Sequence, residues 1–302
     1  MGNKNNIEII EIGPRDGFQN VTEFIPTEKK KEIIERLIEA GVKRMQLTSF
    51  VSPKHIPQMQ DAEEIVKYFI NKYKDIRFFA LVPNYRGAKR AFDIGLREIT
   101  YVISVSEGHN RANVNRSVDE SFEELKKIIE EFPEMYVNLD AATVFGCPFD
   151  GEVTYDQVEQ YVKKAVDIGI TTINLCDTIG VANPEQVKKV VENLLIKFPN
   201  IEFHIHIHDT RNMGMLNSYV AIESGIKHIQ ASIGGMGGCP FAPGASGNLS
   251  TEDFIYMLDK IKVDTGIDFE KLLSVAKECK KTIPGVYSGH HINIDENLIC
   301  SF

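Results

Sequence analysis

IEFHIHIHDTRN, residues 201–212, alternates apolar side chains with histidines at 204, 206 and 208 and then reaches Asp209. Side chains two apart on a β-strand point to the same face. His206 and His208 therefore project together at the C-terminal end of a strand. Two imidazoles so placed make half of a metal site. The alternative, a buried strand whose histidines are hydrogen-bonded core residues, stands level with it on these residues alone. His204 belongs to that second class, since about 13 Å of strand separates it from His208, too far to share an ion.

Outward from this strand, β-rich runs alternate with helical patterns along the whole chain. IEIIEIG (7–13), KRMQLTSF (43–50), IRFFALV (76–82), REITYVISVS (97–106), MYVNLDAATVF (135–145), TTINLCD (171–177) and KHIQASI (227–233) read as the other strands. Helical segments are expected over 27–40, capped by Thr27, and over 61–72, 84–94, 117–132, 155–168, 184–198, 213–224 and 251–263, with one more at 268–281. Gly41, Gly95, Gly169 and Gly225 stop four of them. Ser117 with Glu120 is a capping box, and Pro184 suits a first helical turn. Such alternation demands parallel strands joined by right-handed crossovers, and eight units close into an α/β (β/α)8 TIM barrel with an extra C-terminal helix. The runner-up is a doubly wound open sheet, but GPRDGFQN, not GxGxxG, follows the first strand. A barrel also gathers the polar strand ends (Arg15–Asp16, Thr48–Ser49, Ser106–Glu107, Asp177–Thr178, His206–Asp209) at one mouth. The expected organisation is a single catalytic barrel over 1–302, with 265–302 as helical extension and tail. The His290–His291 pair in the tail meets the mouth or, more commonly for such a segment, packs on the surface.

Among 302 residues, 43% are hydrophobic and the formal net charge is −9. That balance argues against nucleic acid as a partner, which needs clustered Lys and Arg. No apolar run reaches a membrane span, and MGNKNNIEII lacks the features of a signal peptide. Five scattered cysteines (147, 176, 239, 279, 300) suit a reducing cytoplasm better than a disulfide framework.

Asp16 is the natural carboxylate to complete the site begun by His206 and His208, and Arg15 adds a permanent cation. Alone, Arg-Asp-Gly would more often be a surface turn. Gly234–Asn248, GGMGGCPFAPGASGN, holds six glycines in fifteen residues and lacks a P-loop's GKS or GKT ending. Its Cys239 is either an inert small hydrophobe or an acid–base group on a mobile loop. Asn248 offers an amide oxygen. This N/O donor set suits Mg²⁺ or Mn²⁺, with Zn²⁺, Co²⁺ and Fe²⁺ as alternatives.

GPRDGFQN (13–20), TSFVSPKHIPQMQDAEE (48–64), FGCPFDG (145–151), DTIGVANP (177–184), HIHDT (206–210) and GGMGGCPFAPGASGNLSTED (234–253) together resemble the 3-hydroxy-3-methylglutaryl-CoA lyase branch of the metal-dependent barrel lyases and aldolase-like synthases, the DRE-TIM metallolyases. The resemblance runs over residues 7–253. It implies a divalent metal held by Asp16, His206, His208 and Asn248, an enolate stabilised by Arg15, and a proton exchanged by Cys239. It places Glu11, Asp177 and Glu252 near the substrate, and Gln19, Gln46 and Arg211 are further substrate-contacting candidates. The implied reaction cleaves a β-hydroxy acyl-CoA by retro-Claisen or retro-aldol chemistry into acetyl-CoA and a keto product such as acetoacetate. Asp16 and His206 are both candidates to relay the hydroxyl proton. A homodimer follows by analogy only. The rival readings are a condensing acyl-CoA/keto-acid synthase of the same family and an inactive metal-binding homologue.

The pocket pattern departs from the family's. Gln46 stands where Glu is general, His109 where Phe is common, and His55 where Trp is common. Arg211-Asn212-Met213 replaces Tyr-Gly-Gln, and Val21–Thr22 replaces Glu-Lys. These changes predict retained chemistry on a related but different substrate. Neutral drift around the same substrate is the plainer alternative.

Overall fold

The computed structural model describes residues 7–238 and 247–295. Within them, eight parallel strands close a barrel in chain order. They are β1 (Glu8–Glu11), β2 (Arg44–Ser49), β3 (Arg77–Val82), β4 (Glu98–Ser104), β5 (Tyr136–Ala142), β6 (Thr172–Asp177), β7 (Glu202–Ile207) and β8 (His228–Ala231). Around them run α1 (Thr27–Glu39), α2 (Ala62–Lys72), α3 (Tyr85–Asp93), α4 (Glu107–Val114), α5 (Val118–Glu131), α6 (Tyr155–Asp167), α7 (Pro184–Lys197), α8 (Gly214–Glu223), α9 (Thr251–Lys260) and α10 (Phe269–Thr282). The open-sheet alternative is excluded by the pairing of β1 with β8.

The period of two sorts the strands by polarity. Leu139 and Ala141 of β5, Ile173 and Leu175 of β6, Phe203 and Ile205 of β7, and Ile229 of β8 face outward into the large core shared with the helices. The intervening Asn138, Asp140, Asn174, His204, His206 and Gln230 are buried polar residues. Hydrogen bonds link them and their neighbours across the lumen, as in Asn174 to Asp140 at 3.0 Å and Gln46 to Thr100 at 3.1 Å. Ile10, Ile12 and Phe79 form a separate small apolar cluster.

The expected glycine stops hold: Gly41, Gly95, Gly169 and Gly225 all take positive φ, between 94° and 114°. The Ser117–Glu120 capping box is present, and Thr154–Gln157 makes another. Two expectations need correction. Thr27 does not cap α1; it is the first helical residue, and Pro26 precedes it without a side-chain cap. The segment after β4, to which no element was assigned from sequence, contains α4. Its buried residues are His109 and Asn110, so it has no apolar stripe to announce it.

The extension is tied in by backbone and charge. Asp268 N donates to Ala40 O at 2.7 Å, and α10 packs on α1. The Asp253 carboxylate accepts from the backbone of His290 and His291 at 2.6 and 3.0 Å, which holds the tail beside the start of α9. Cys300 lies outside the described residues.

Candidate active site

Directly after β1, Gly13–Gly17 makes one π-helical turn. The buried Glu11 carboxylate shapes it by accepting from Gly13 N at 2.7 Å and from Ile233 N at 2.9 Å. The turn carries Arg15 and Asp16 into the mouth, both less than a tenth exposed. Across the mouth, His206 and His208 leave the end of β7 with ring centroids 4.9 Å apart. Asn248 pairs with His208 in an isolated antiparallel bridge, and its Nδ2 donates to Asp16 Oδ2 at 2.6 Å. Asp16, His206 and His208 offer ligand atoms that all lie within 4.8 Å of one another.

The hydrogen bonds themselves indicate a cation. Asn248 Nδ2 also donates to Met236 O at 2.9 Å, which fixes the amide and turns Oδ1 toward His206 Nε2 at 2.9 Å. The other nitrogen of His206, Nδ1, sits 2.8 Å from Gln230 Oε1 and donates there. His206 Nε2 and the Asn248 oxygen thus face each other as two donor atoms that one metal ion would share. His208 Nδ1 is buried with no hydrogen-bond partner, and a backbone bond to Thr178 orients the ring. Burial, with His206 next, lowers the pKa of His208 to about 4, so the ring is neutral and free to ligate. Burial alone would raise the Asp16 carboxyl. Arg15 and both imidazoles outweigh it and hold the group below the usual range. The four residues fit a hard or borderline divalent ion.

Arg15 bonds the Asp16 carboxylate with one nitrogen and Gln46 Oε1 with Nε. A neutral amide thus supports one edge of the guanidinium without neutralising it. The cavity above has a volume of about 340 Å³ and is lined by Arg15, Asp16, Gln19, His109, Asp140, Cys176, His206 and His208, among others.

The candidates named from sequence sort into three groups. Arg15, Asp16, Gln19, His206 and His208 line the cavity; Asn248 and Gln46 are buried behind that lining. Glu11, Asp177, Arg211 and Glu252 are absent from the lining and hold backbone instead. Asp177 accepts from Val181 N and Ala182 N, Glu252 accepts from Gly234 N, and Arg211 donates to Ile179 O and Gly180 O. Cys239 lies outside the described residues; Gly238, which precedes it, lines the cavity. His109 lines it as well, with Nδ1 2.7 Å from Ser104 Oγ. Burial depresses its pKa to about 4, so His109 brings hydrogen-bonding capacity without charge. His55 is exposed and is not itself part of the lining, although the adjacent Ile56 is.

Asp140 and Cys176 were not singled out from sequence. Both are buried lumen residues that reach the cavity floor. Burial raises the Asp140 carboxyl against the opposing pull of Asn174, His206 and Arg15, and burial keeps Cys176 a thiol. Their signal was the polar residue at every second position of β5 and β6, which only a closed barrel turns inward.

Residues 6–278 match the family model described as HMGL-like. The chain is 42% identical to the hydroxymethylglutaryl-CoA lyase of Bacillus subtilis over 90% of this chain and 91% of that one. It is 37% identical to the (R)-citramalyl-CoA lyase of Chloroflexus aurantiacus over 92% and 91%. The crystal structure of a Bacillus subtilis HMG-CoA lyase superposes with a TM-score of 0.91 at 39% identity, covering 97% of this chain and 98% of that one. An Acinetobacter baumannii HMG-CoA lyase in complex with coenzyme A and 3-methylmalate gives 0.88 at 38% identity, covering 93% and 92%.

Proposed function

The chain belongs to the HMGL-like family, and from that premise we propose that its cavity cleaves a β-hydroxy acyl-CoA related to, but distinct from, 3-hydroxy-3-methylglutaryl-CoA. The class of reaction is that of its relatives: a metal-dependent carbon–carbon lyase acting on a β-hydroxy acid held as a CoA thioester. The observation that carries the reading is Arg15, held beside Asp16, His206 and His208 in one cavity.

A divalent ion, which we take to be Mg²⁺ or Mn²⁺, would be held by Asp16, His206, His208 and Asn248 and would supply Lewis acidity toward the β-hydroxyl oxygen. Arg15 carries its charge into a cavity with little competing water and faces the thioester oxygen on which enolate charge grows. The β-hydroxyl proton passes to Asp16 or His206. Cys239 returns a proton to the enolate carbon, which yields acetyl-CoA and a keto product.

The altered substrate rests on the lining. Asp140, Cys176 and the neutral His109 meet the part of the substrate away from the thioester, and Gln46 leaves Arg15 less neutralised than a glutamate would. The two relatives named as acting on different acyl-CoAs show that this scaffold tolerates such a change. A homodimer of one-barrel subunits, 1–302 with 265–302 as extension, completes the proposal by analogy. The free, buried cysteines 147, 176 and 279 support a cytoplasmic setting. Acetyl-CoA release should be followed over 3-hydroxy-3-methylglutaryl-CoA, citramalyl-CoA and other β-hydroxy acyl-CoAs, and keto-product release over the free acids. A kcat/KM at least tenfold higher for another thioester is expected. Efficient turnover of 3-hydroxy-3-methylglutaryl-CoA alone would sink the altered-substrate claim and leave the lyase intact.

A further inference from the structure

At the end of the barrel opposite the cavity, the first residues of three adjoining strands converge. Glu202 and His204 of β7 lie beside His228 of β8, and His228 is registered with Glu8 of β1. His204 Nε2 is 2.7 Å from Glu202 Oε1, and His228 Nε2 is 3.5 Å from Glu202 Oε2. The two imidazole centroids are 4.6 Å apart. His228 Nδ1 donates to Glu8 Oε2 at 2.9 Å, which turns Nε2 toward Glu202. A carboxylate that fixes a histidine's tautomer from behind is the support metal-ligating histidines ordinarily have.

We propose that Glu202, His204 and His228 form a second divalent-cation site, separate from the catalytic one. Ligand atoms of the three lie within 4.8 Å of one another, and among the described residues only the catalytic triad does the same. Two imidazoles and one carboxylate, with no amide oxygen, select a borderline transition ion of the Zn²⁺ class over Mg²⁺. Side-chain exposures of 40% for Glu202 and 21% for His228 leave the ion a path from solvent. Arg44 is the opposing charge, its NH1 3.9 Å from Glu202 Oε1. Glu8, Glu98 and Glu202 face Arg44 and Arg77 here, which leaves one negative charge for the ion to meet. The ion would staple β7 to β8, with Glu8 of β1 supporting His228 from behind.

Metal-stripped protein incubated with Zn²⁺, freed of excess by gel filtration and analysed for metal should hold two equivalents. His208→Ala should hold one, and His208→Ala with His228→Ala none. Substituting Co²⁺ into His208→Ala should give visible d–d bands that Glu202→Gln abolishes, a change at a part-exposed side chain. His228→Ala alone should keep one equivalent and its lyase turnover. Uptake of a single equivalent by the wild type, or uptake by His208→Ala that ignores both His228→Ala and Glu202→Gln, would overturn the site.

Discussion

At the scale of single residues, the proposed roles of His208 and Cys239 can be told apart, one as an ion ligand and the other as a proton donor. His208 has an unpartnered Nδ1 beside Asp16 and His206 and nothing else to do there. His208→Ala should therefore lose both mouth metal, by elemental analysis with Mn²⁺, and turnover. Cys239→Ala should keep the metal and drop kcat by about 10²–10⁴, the usual worth of a placed acid or base. A Cys239→Ala enzyme as active as the wild type would remove the cysteine from the mechanism. Gln46 accepts a hydrogen bond from Arg15. Gln46→Glu sets a second carboxylate against the guanidinium, and the ratio of kcat/KM for 3-hydroxy-3-methylglutaryl-CoA over the preferred thioester should rise. An unchanged ratio would mean that Gln46 has no part in selectivity. Asp16, His206, His208 and Asn248 were legible because strand-end motifs carry them. Asp140 was not, because a lone aspartate in YVNLDAATVF reads the same whether it faces lumen or helix.

Elements show where buried charge is used to fix backbone. Glu11 and Glu252, expected near the substrate, hold backbone: the one pins the π-turn to Ile233 and the other holds Gly234. Burial raises their pKa values, to about 7 for Glu11 and about 8 for Glu252, from 4.5. Between those limits the folded chain keeps protons that the unfolded chain releases, so stability should fall as pH rises from about 4.5 to 8. Glu252 Oε1 has no hydrogen-bond partner, which makes its ionised form the costlier. Glu252→Gln keeps an acceptor for Gly234 N and never ionises. It should match the wild type at pH 4.5 and exceed it by a few kcal/mol at pH 9, at about 1.4 kcal/mol per pKa unit. Parallel urea curves at both pH values measure this; equal loss of stability in the two proteins would show that Glu252 ionises as readily in the folded chain as in the unfolded one. The helix missed in sequence, α4, obeys the same logic. Asn110 anchors it by accepting from Ser104 N and donating to Arg116 O and Ser117 O, so hydrogen bonds replace the apolar face that periodicity detects.

For the molecule as a whole, the barrel keeps its apolar packing outside the strands and fills its lumen with polar layers. The alternation in 201–212 announced that arrangement, and the eight repeats fixed the closure. What alternation leaves open is the pairing of side chains across the lumen, because strand order sets it and no local pattern records it. The mouth depends on such pairing: its candidate ligands come from the turn after β1, from the end of β7 and from Asn248, 232 residues after Asp16. An ion there binds the closed barrel and not the unfolded chain, so it must stabilise the whole fold by mass action, by about 2.7 kcal/mol at a hundred times its Kd. Chelation should lower Tm by about 5 °C or more, and Mn²⁺ should restore it. The measurement belongs in the His228→Ala background, where the cluster at the opposite end cannot contribute, with His208→Ala alongside. Restoration in the first protein and none when both changes are combined is the expected result. A Tm indifferent to chelator and to Mn²⁺ in an active, metal-free preparation would mean that the three segments meet without an ion between them.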